Sequence, residues 1–126
     1  MTTLVDVETL VVAFLKPAAF AAGASIGTKV PNPRPKRFVR VTRTGGTATN
    51  RVLERAQITI TAEAESGPEA FNLASACRAE FLNNTTRMPL VRGVEETTGP
   101  YYNPDPDTGN DRYTFTESMS VRAARN

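Results

Sequence analysis

The chain has 126 residues, of which 40% are hydrophobic and 22% are charged, a composition that suits one folded domain with its own core. Its net charge of +2 is too small to favour nucleic-acid binding by itself. The sequence contains no His and a single Cys77, which excludes the commonest general base, an internal disulfide and a Cys-cluster metal site. No apolar run approaches the ~20 residues of a membrane-spanning helix. We therefore expect no catalytic residues, bound metal, cofactor or membrane contact.

An amphipathic helix is predicted at the start of the chain. Its apolar residues recur at helical spacing, at Leu4, Val7, Leu10, Val11, Phe14 and Leu15. Thr2 or Thr3 is the predicted N-cap. Pro17 is expected to end the helix near Lys16, or to let it restart for one further turn.

Segments rich in β-forming residues predict five strands, over residues 25–30, 38–44, 52–65, 90–98 and 112–122. In the longest, Ile58 and Ile60 alternate with Thr59 and Thr61, which predicts one face against a core and one polar face. Because strands joined by short turns pair antiparallel, we expect a mainly antiparallel sheet.

A second helix is predicted to begin after Ser66, which can cap it, with Glu69 completing a capping box. The stripe that it turns to the core is predicted to contain Phe71, Ala74, Cys77 and Phe81. With no His to activate it, Cys77 is interpreted as a buried structural thiol rather than a nucleophile.

These elements predict one α+β domain over residues 1–126. It has two layers: a mainly antiparallel sheet of four or five strands, and two helices packed on one face of it. The other face carries rows of Thr, Ser, Glu and Arg. Flexible loops are predicted at about residues 31–37, 45–51 and 98–111, where Pro, Gly, Asn and Asp accumulate.

Three patterns that could suggest chemistry are interpreted as structural. The pair Gly45–Gly46 lacks the following Lys-Ser or Lys-Thr of a phosphate-binding loop. The stretch with Asp105, Asp107 and Asp111 lacks a glycine at the offset that a calcium loop requires, and it lacks the closing Glu. Two carboxylates on one strand face, at positions 63 and 65, have no apolar setting that would suit acid–base catalysis.

Contacts with partners are predicted on the loops and the polar strand face. Arginines there could pair with carboxylates of neighbouring subunits, and adjacent tyrosines should face opposite ways, one packed and one exposed. The predicted contact residues are Arg34, Lys36, Arg37, Arg40, Arg43, Arg51, Arg55, Glu63, Glu95, Glu96, Tyr101, Tyr102, Asp105 and Asp107.

Three stretches also carry a family likeness: the first helix DVETLVVAFLKPAA, the strand entry PNPRPKRFVRVTRTGG and the second helix GPEAFNLASACRAEFL. Together with chain length and element order, they resemble the tail terminator (tail completion or minor tail) proteins of long-tailed bacteriophages, particularly those of actinobacterial phages. The likeness covers most of the chain and includes no catalytic motif.

The resemblance implies a structural virion protein that forms a homohexameric ring at the head-proximal end of the tail. The ring would stop polymerisation of the tail tube and join the tail to the head connector. Its partners would be other copies of the chain, the major tail tube protein and the connector or neck protein. Genomic DNA would pass through the lumen without sequence-specific binding, and assembly would take place in the host cytoplasm.

Two other functions remain open at this point. The first is another phage neck or head–tail adaptor protein, which would also form a ring. A small nucleic-acid-binding module would use the arginines near Phe38 and the tyrosines, although no RRM-like core motif is present.

Overall fold

The protein is described by a computed structural model, which places residues 2–3 and 6–125 and the side chains of residues 6–123. Its helices are α1 (Val7–Ala21) and α2 (Gly67–Asn83), and a 3-10 turn follows at Thr85–Arg87. Its strands are β1 (Thr2–Thr3), β2 (Ser25–Gly27), β3 (Phe38–Ala48), β4 (Leu53–Glu63), β5 (Val91–Tyr102), β6 (Arg112–Arg122) and β7 (Ala124–Arg125).

Five of the strands form one mixed sheet in the order β2-β3-β4-β6-β5. Strands β3, β4, β6 and β5 pair antiparallel, whereas the short β2 pairs parallel with β3. The terminal strands β1 and β7 pair separately and antiparallel. The sheet and two helices confirm the predicted α+β fold and its mostly antiparallel pairing.

Both helices pack on the same face of this sheet. α1 contacts β2 and β3, α2 contacts β4, β6 and β5, and the two helices contact each other. Between the layers, Phe81 of α2 meets Phe14 of α1 and Phe115 of β6 edge to face, with ring centroids 5.3 Å and 6.1 Å apart. Burial of such side chains supplies most of the favourable free energy of folding.

The first helix begins later than predicted, and it ends at Ala21, close to the end of the further turn that was the alternative to a stop near Lys16. Its N-cap is Asp6, whose carboxylate accepts hydrogen bonds from the backbone N–H and the hydroxyl of Thr9. The predicted caps Thr2 and Thr3 lie in β1, and Leu4 falls outside the described residues. The helix continues through Pro17, which is exposed, so the carbonyl that lacks a Pro17 N–H partner can bond to solvent.

The second helix confirms the predicted cap, since Ser66 Oγ accepts the Glu69 N–H at 3.3 Å. Its buried stripe consists of Ala70, Leu73, Ala74, Cys77 and Phe81. The prediction was therefore wrong for Phe71, which is 41% exposed at the edge of the stripe. Consecutive residues lie ~100° apart around a helix, so Ala70 and Phe71 cannot both face the core squarely.

Two predicted loops are shorter in the structure. β3 continues through Gly45 and Gly46 to Ala48, past a bulge between Arg43 and Gly45, so the predicted loop 45–51 is mostly strand. β5 likewise extends to Tyr102, which leaves residues 103–111 of the predicted loop 98–111. In both places cross-strand pairing overrides the local turn preference of Gly and Pro.

Gly46 is expected to be a site where any side chain is strongly destabilising. Its φ is +110°, and a Cβ there would lie 2.0 Å from the carbonyl oxygen of Arg55 on the facing strand. Gly46→Ala should lower the free energy of unfolding by about 2–4 kcal/mol, measured by chemical denaturation. Gly93→Ala is the control, because nothing lies within 4 Å of its added Cβ. Equal effects of the two substitutions would contradict this account of the hairpin.

Candidate functional site

The sheet face opposite the helices is covered with hydroxyl groups that bond to one another. Thr59 of β4 lies 3.1 Å from the hydroxyl of Thr44 on β3 and 3.2 Å from that of Thr116 on β6. Farther along, Thr97 and Ser118 are joined by a 2.8 Å contact. This confirms the predicted polar face and shows that five of its hydroxyls have hydroxyl partners within the chain.

Two loops cover one end of this polar face, residues 28–37 and 103–111. Beneath them Phe38 and Glu63 face each other across β3 and β4, and both are buried, at 3% and 2% exposed. The guanidinium of Arg34 lies over the Phe38 ring, 5.3 Å from its centroid. The end of the polar face is therefore a small second cluster, separate from the main core.

Arg34 is the centre of this cluster. Its Nε and Nη2 donate to the two carboxylate oxygens of Glu63 at 2.8 Å and 2.7 Å, and Nη2 also donates to Asp105 at 2.7 Å. Asn110 donates a further hydrogen bond to Glu63 at 3.1 Å. The hydrogen bond with Glu63 raises the pKa of Arg34 above its usual value. Loop 28–37, β4 and loop 103–111 are thereby joined by one charge network.

Asp105 also organises its own loop. Its Oδ1 accepts the backbone N–H groups of Asp107 at 2.8 Å and Thr108 at 3.3 Å. These backbone bonds, with Arg34 adding to them, hold the pKa of the Asp105 carboxyl below its usual range. Among the described side chains, no group of three His, Cys, Asp or Glu residues could hold a metal ion.

A cleft of about 350 Å³ lies beside the cluster. Cations and carboxylates both line it, together with threonines of β3 and β4: Val30, Arg34, Phe38, Arg40, Thr42, Thr61, Glu63, Asp105, Pro106, Asp107 and Arg112. Arg112 donates to the Asn103 carbonyl at 2.8 Å, and Arg40 donates to the Thr28 carbonyl at 3.3 Å. The lining of the cleft is therefore mixed in charge, and several of its charged groups already bond within the chain.

Several predicted contact residues instead pair within the chain. Arg55 lies 3.1 Å from Glu95 across the sheet. Arg78 of α2 binds both carboxylate oxygens of Glu96, and this hydrogen bonding lowers the pKa of Glu96. Subunit contacts through Glu95 and Glu96 would therefore compete with these bonds or share them.

Arg43 and Arg37 also have partners. Arg43 bonds to Glu54 at 3.0 Å on the helix side of the sheet, and Glu54 is only 3% exposed. Arg37 pairs with Glu69 at 3.1 Å, which links loop 28–37 to the start of α2. The sequence does not identify Glu54 as the buried partner of Arg43, because a charged residue at the end of a strand is usually exposed to solvent.

Other predicted contact residues are exposed, among them Lys36, Arg40, Arg51 and Asp107. Tyr101 and Tyr102 are 47% and 52% exposed. The ring of Tyr102 packs edge to face on Tyr113, the residue opposite it on β6, and its hydroxyl donates to Asp111. The expectation that one tyrosine packs across the strands therefore holds for Tyr102, although its ring stays half exposed.

An apolar groove of about 650 Å³ on the helix side was not predicted. It lies between the start of α2 and β5, and its lining residues are Gly67, Pro68, Phe71, Asn72, Pro100 and Tyr113. Phe71 meets Tyr113 edge to face with ring centroids 5.3 Å apart. The position of Phe71 at the border of the α2 stripe is the sequence signal that could have indicated it.

Glu117 is a buried carboxyl on the core face of β6, at 1% exposed, and its Oε1 has no hydrogen-bond partner. Burial raises its pKa to about 7, with a smaller contribution from Glu96. In the sequence it already stands out as a charge within the apolar alternation of β6. Burial also raises the pKa of Cys77 to about 12, which agrees with a structural thiol.

Comparisons with known proteins give no identification, since no family model matches the chain and no curated protein matches it. None of the helices in the described part of the chain is long and apolar enough to cross a membrane.

Removing the guanidinium of Arg34 should destabilise the protein. Arg34→Ala leaves the buried Glu63 with Asn110 as its remaining side-chain donor, and should cost about 2–3 kcal/mol in denaturation experiments. Arg34→Lys should recover part of this loss, because one ammonium cannot reproduce the paired bonds to Glu63 together with the bond to Asp105. Arg92→Ala, at an exposed β5 position, is the control and should change stability by less than about 0.5 kcal/mol.

Glu117 should make stability fall as the pH rises. Its ordinary pKa is 4.5 and its pKa in the folded protein is about 7, so between these values the folded protein keeps a proton that the unfolded chain has released. The favourable contribution is complete below pH 4.5 and is lost as the pH rises through about 7. Glu117→Gln should therefore be more stable than the parent at pH 8, on the order of 2 kcal/mol, and should lose this advantage at pH 4.

Denaturation midpoints of the parent and Glu117→Gln between pH 4 and pH 8 would check this. Glu65→Gln, the same carboxylate-to-amide change at an exposed position, is the matched control. If the difference in stability between the parent and Glu117→Gln does not change with pH, burial does not raise the pKa of Glu117.

Proposed function

We propose that the protein is a structural subunit of long-tailed bacteriophage virions, which forms a ring at the head-proximal end of the tail tube. There it stops tube polymerisation and joins the tail to the head connector. The observation that carries the proposal is that the helices cover only one face of the sheet. The other face, with the two loops joined by Arg34, is open to partners. The likeness of three sequence stretches to tail terminators supports it.

The edges of the sheet favour assembly. Across the described residues β5 pairs with β6 alone, so its 12 residues form an outer edge, and the opposite edge is the three-residue β2. Unpaired strand edges are natural points of protein association. A closed ring would cover each subunit's edges with its neighbours.

The loops supply surfaces for axial contacts. The Arg34 network holds loops 28–37 and 103–111 against the sheet. Surfaces that are already ordered lose less conformational entropy on binding. In the proposed mechanism one ring face reproduces the contacts of the major tail tube protein and adds to the growing tube. The other face lacks those contacts, so polymerisation stops, and this face meets the connector or neck protein.

The role is structural rather than catalytic. The genomic DNA crosses the lumen of the ring without sequence-specific binding. The protein resides in the virion after assembly in the host cytoplasm.

Electron microscopy of tails assembled without this protein tests the proposal. We expect tubes of abnormal, variable length, and normal length when the wild-type chain is restored. Tails of normal length that fail to join heads would favour a neck or adaptor role instead. Normal, head-attached tails would overturn the proposal.

Purified protein offers a second measurement. Light scattering with tail-tube protein should show ring-sized particles bound to tube ends. A chain that stays monomeric and unbound in the presence of tubes would contradict a role in termination. Salt-sensitive binding to DNA oligonucleotides, with no binding to tubes, would instead indicate a nucleic-acid-binding module.

A further inference from the structure

The apolar groove beside β5 has the composition of a binding surface. Phe71, Tyr113 and Pro100 all line it, and the half-exposed Tyr102, which packs on Tyr113, extends the apolar area. Clustered exposed aromatic residues on a small domain indicate a surface that another molecule covers.

The rim of this groove is acidic. Glu65 is exposed immediately before α2. The carboxylate of Asp111 lies beside Gly67, 3.9 Å from where a Cβ would stand. Of the ion pairs between the described side chains, none involves Glu65 or Asp111. The groove therefore combines an apolar centre with negative charge that forms no ion pair within residues 6–123.

The opposite charge is concentrated in the first part of the chain. Residues 9–53 contain eight Lys or Arg and no Asp or Glu, whereas residues 54–126 contain seven Lys or Arg and eleven Asp or Glu. The first segment forms most of α1 together with β2 and β3. Lys29 and Lys36, in the loop after β2, are exposed and take part in no ion pair among residues 6–123.

Exposed apolar side chains flank β2 on both sides in the sequence. Phe20, in the last turn of α1 just before β2, is 62% exposed, and Val30, just after Lys29, is 37% exposed. We call Phe20, Lys29, Val30 and Lys36 the basic edge. Like the groove, it combines apolar area with unpaired charge, but the sign of the charge is reversed.

None of the basic-edge residues lines the groove of the same molecule. Phe20 and Val30 instead stay exposed, so they are available to the groove of a second molecule. Because the two surfaces differ, the contact is head-to-tail. A row of bound copies therefore keeps a free groove at one end and a free basic edge at the other.

We propose that the apolar groove binds the basic edge of a second copy of this chain. Phe20 and Val30 cover the aromatic floor, and Lys29 and Lys36 lie opposite Glu65 and Asp111. This deepens the proposed function and rests on it only for the closure of the ring, since a head-to-tail contact makes a ring where its rotation closes. The contact itself stands on the charge and apolar complementarity of the two surfaces.

Two one-sided variants test the contact by analytical ultracentrifugation. Phe71→Ser alters the groove, and Phe20→Ser with Lys29→Glu alters the basic edge. Each should raise the dissociation constant for self-association by about tenfold or more. Mixed together, the two variants should form a heterodimer and nothing larger, because only one of the possible contacts joins two unaltered surfaces. Leu82→Ser, at another exposed apolar residue of α2, is the matched control and should associate like the parent.

Charge reversal separates a lost contact from a misfolded variant. Glu65→Lys should weaken association, and Glu65→Lys combined with Lys29→Glu in the same chain should restore it in part. Higher salt should weaken association of the parent. Unchanged association of the one-sided variants, or failure of their mixture to form heterodimers while the parent associates, would overturn the inference.

The outcome is distinct from that of the tail experiments. A parent chain that is monomeric at every concentration yet limits tube length would overturn this contact and leave the proposed function standing. Head-to-tail association of a chain whose loss leaves tails normal would do the reverse.

Discussion

The guanidinium of Arg34 holds together parts of the chain that the main core does not reach. It bonds to Glu63 at the end of β4 and to Asp105, 71 residues from Arg34 in the sequence, while covering the ring of Phe38. A carboxylate as buried as Glu63 is stable only when its oxygens have charged or polar partners, and Asn110 supplies the remaining one. Loops 28–37 and 103–111 are therefore held in place by one network of charges rather than by apolar packing.

Periodic patterns predicted most of the architecture because each reports which face of an element meets the core. β6 has the predicted bounds, and α2 begins at the predicted cap. The predictions were wrong where solvent exposure or strand pairing outweighed the local preference of a residue. Pro17 remains within α1 because it faces solvent, and Gly45–Gly46 remain in β3 because β4 pairs with them.

The charged residues were identifiable from the sequence, but their partners were not. Arg55 and Glu95 are 40 residues apart and meet only because β4, β6 and β5 lie side by side in one register. The groove was hidden for the same reason, since Phe71 and Pro100 come together only through the packing of α2 on the sheet. Glu117 was visible as a break in an apolar alternation, but its burial depends on the helix above it.

The hydroxyl rows on the open face have a consequence for how that face is covered. Thr44, Thr59 and Thr116 form one row of mutual contacts, and Thr97 and Ser118 form another. A surface laid over hydroxyls that depend on water must replace each lost hydrogen bond or suffer the penalty of an unsatisfied buried group. Here much of that requirement is met before any neighbour arrives. A partner surface can therefore exclude water from these rows without supplying hydrogen bonds of its own. Even an apolar surface could cover them, which widens the range of partner surfaces that fit this face.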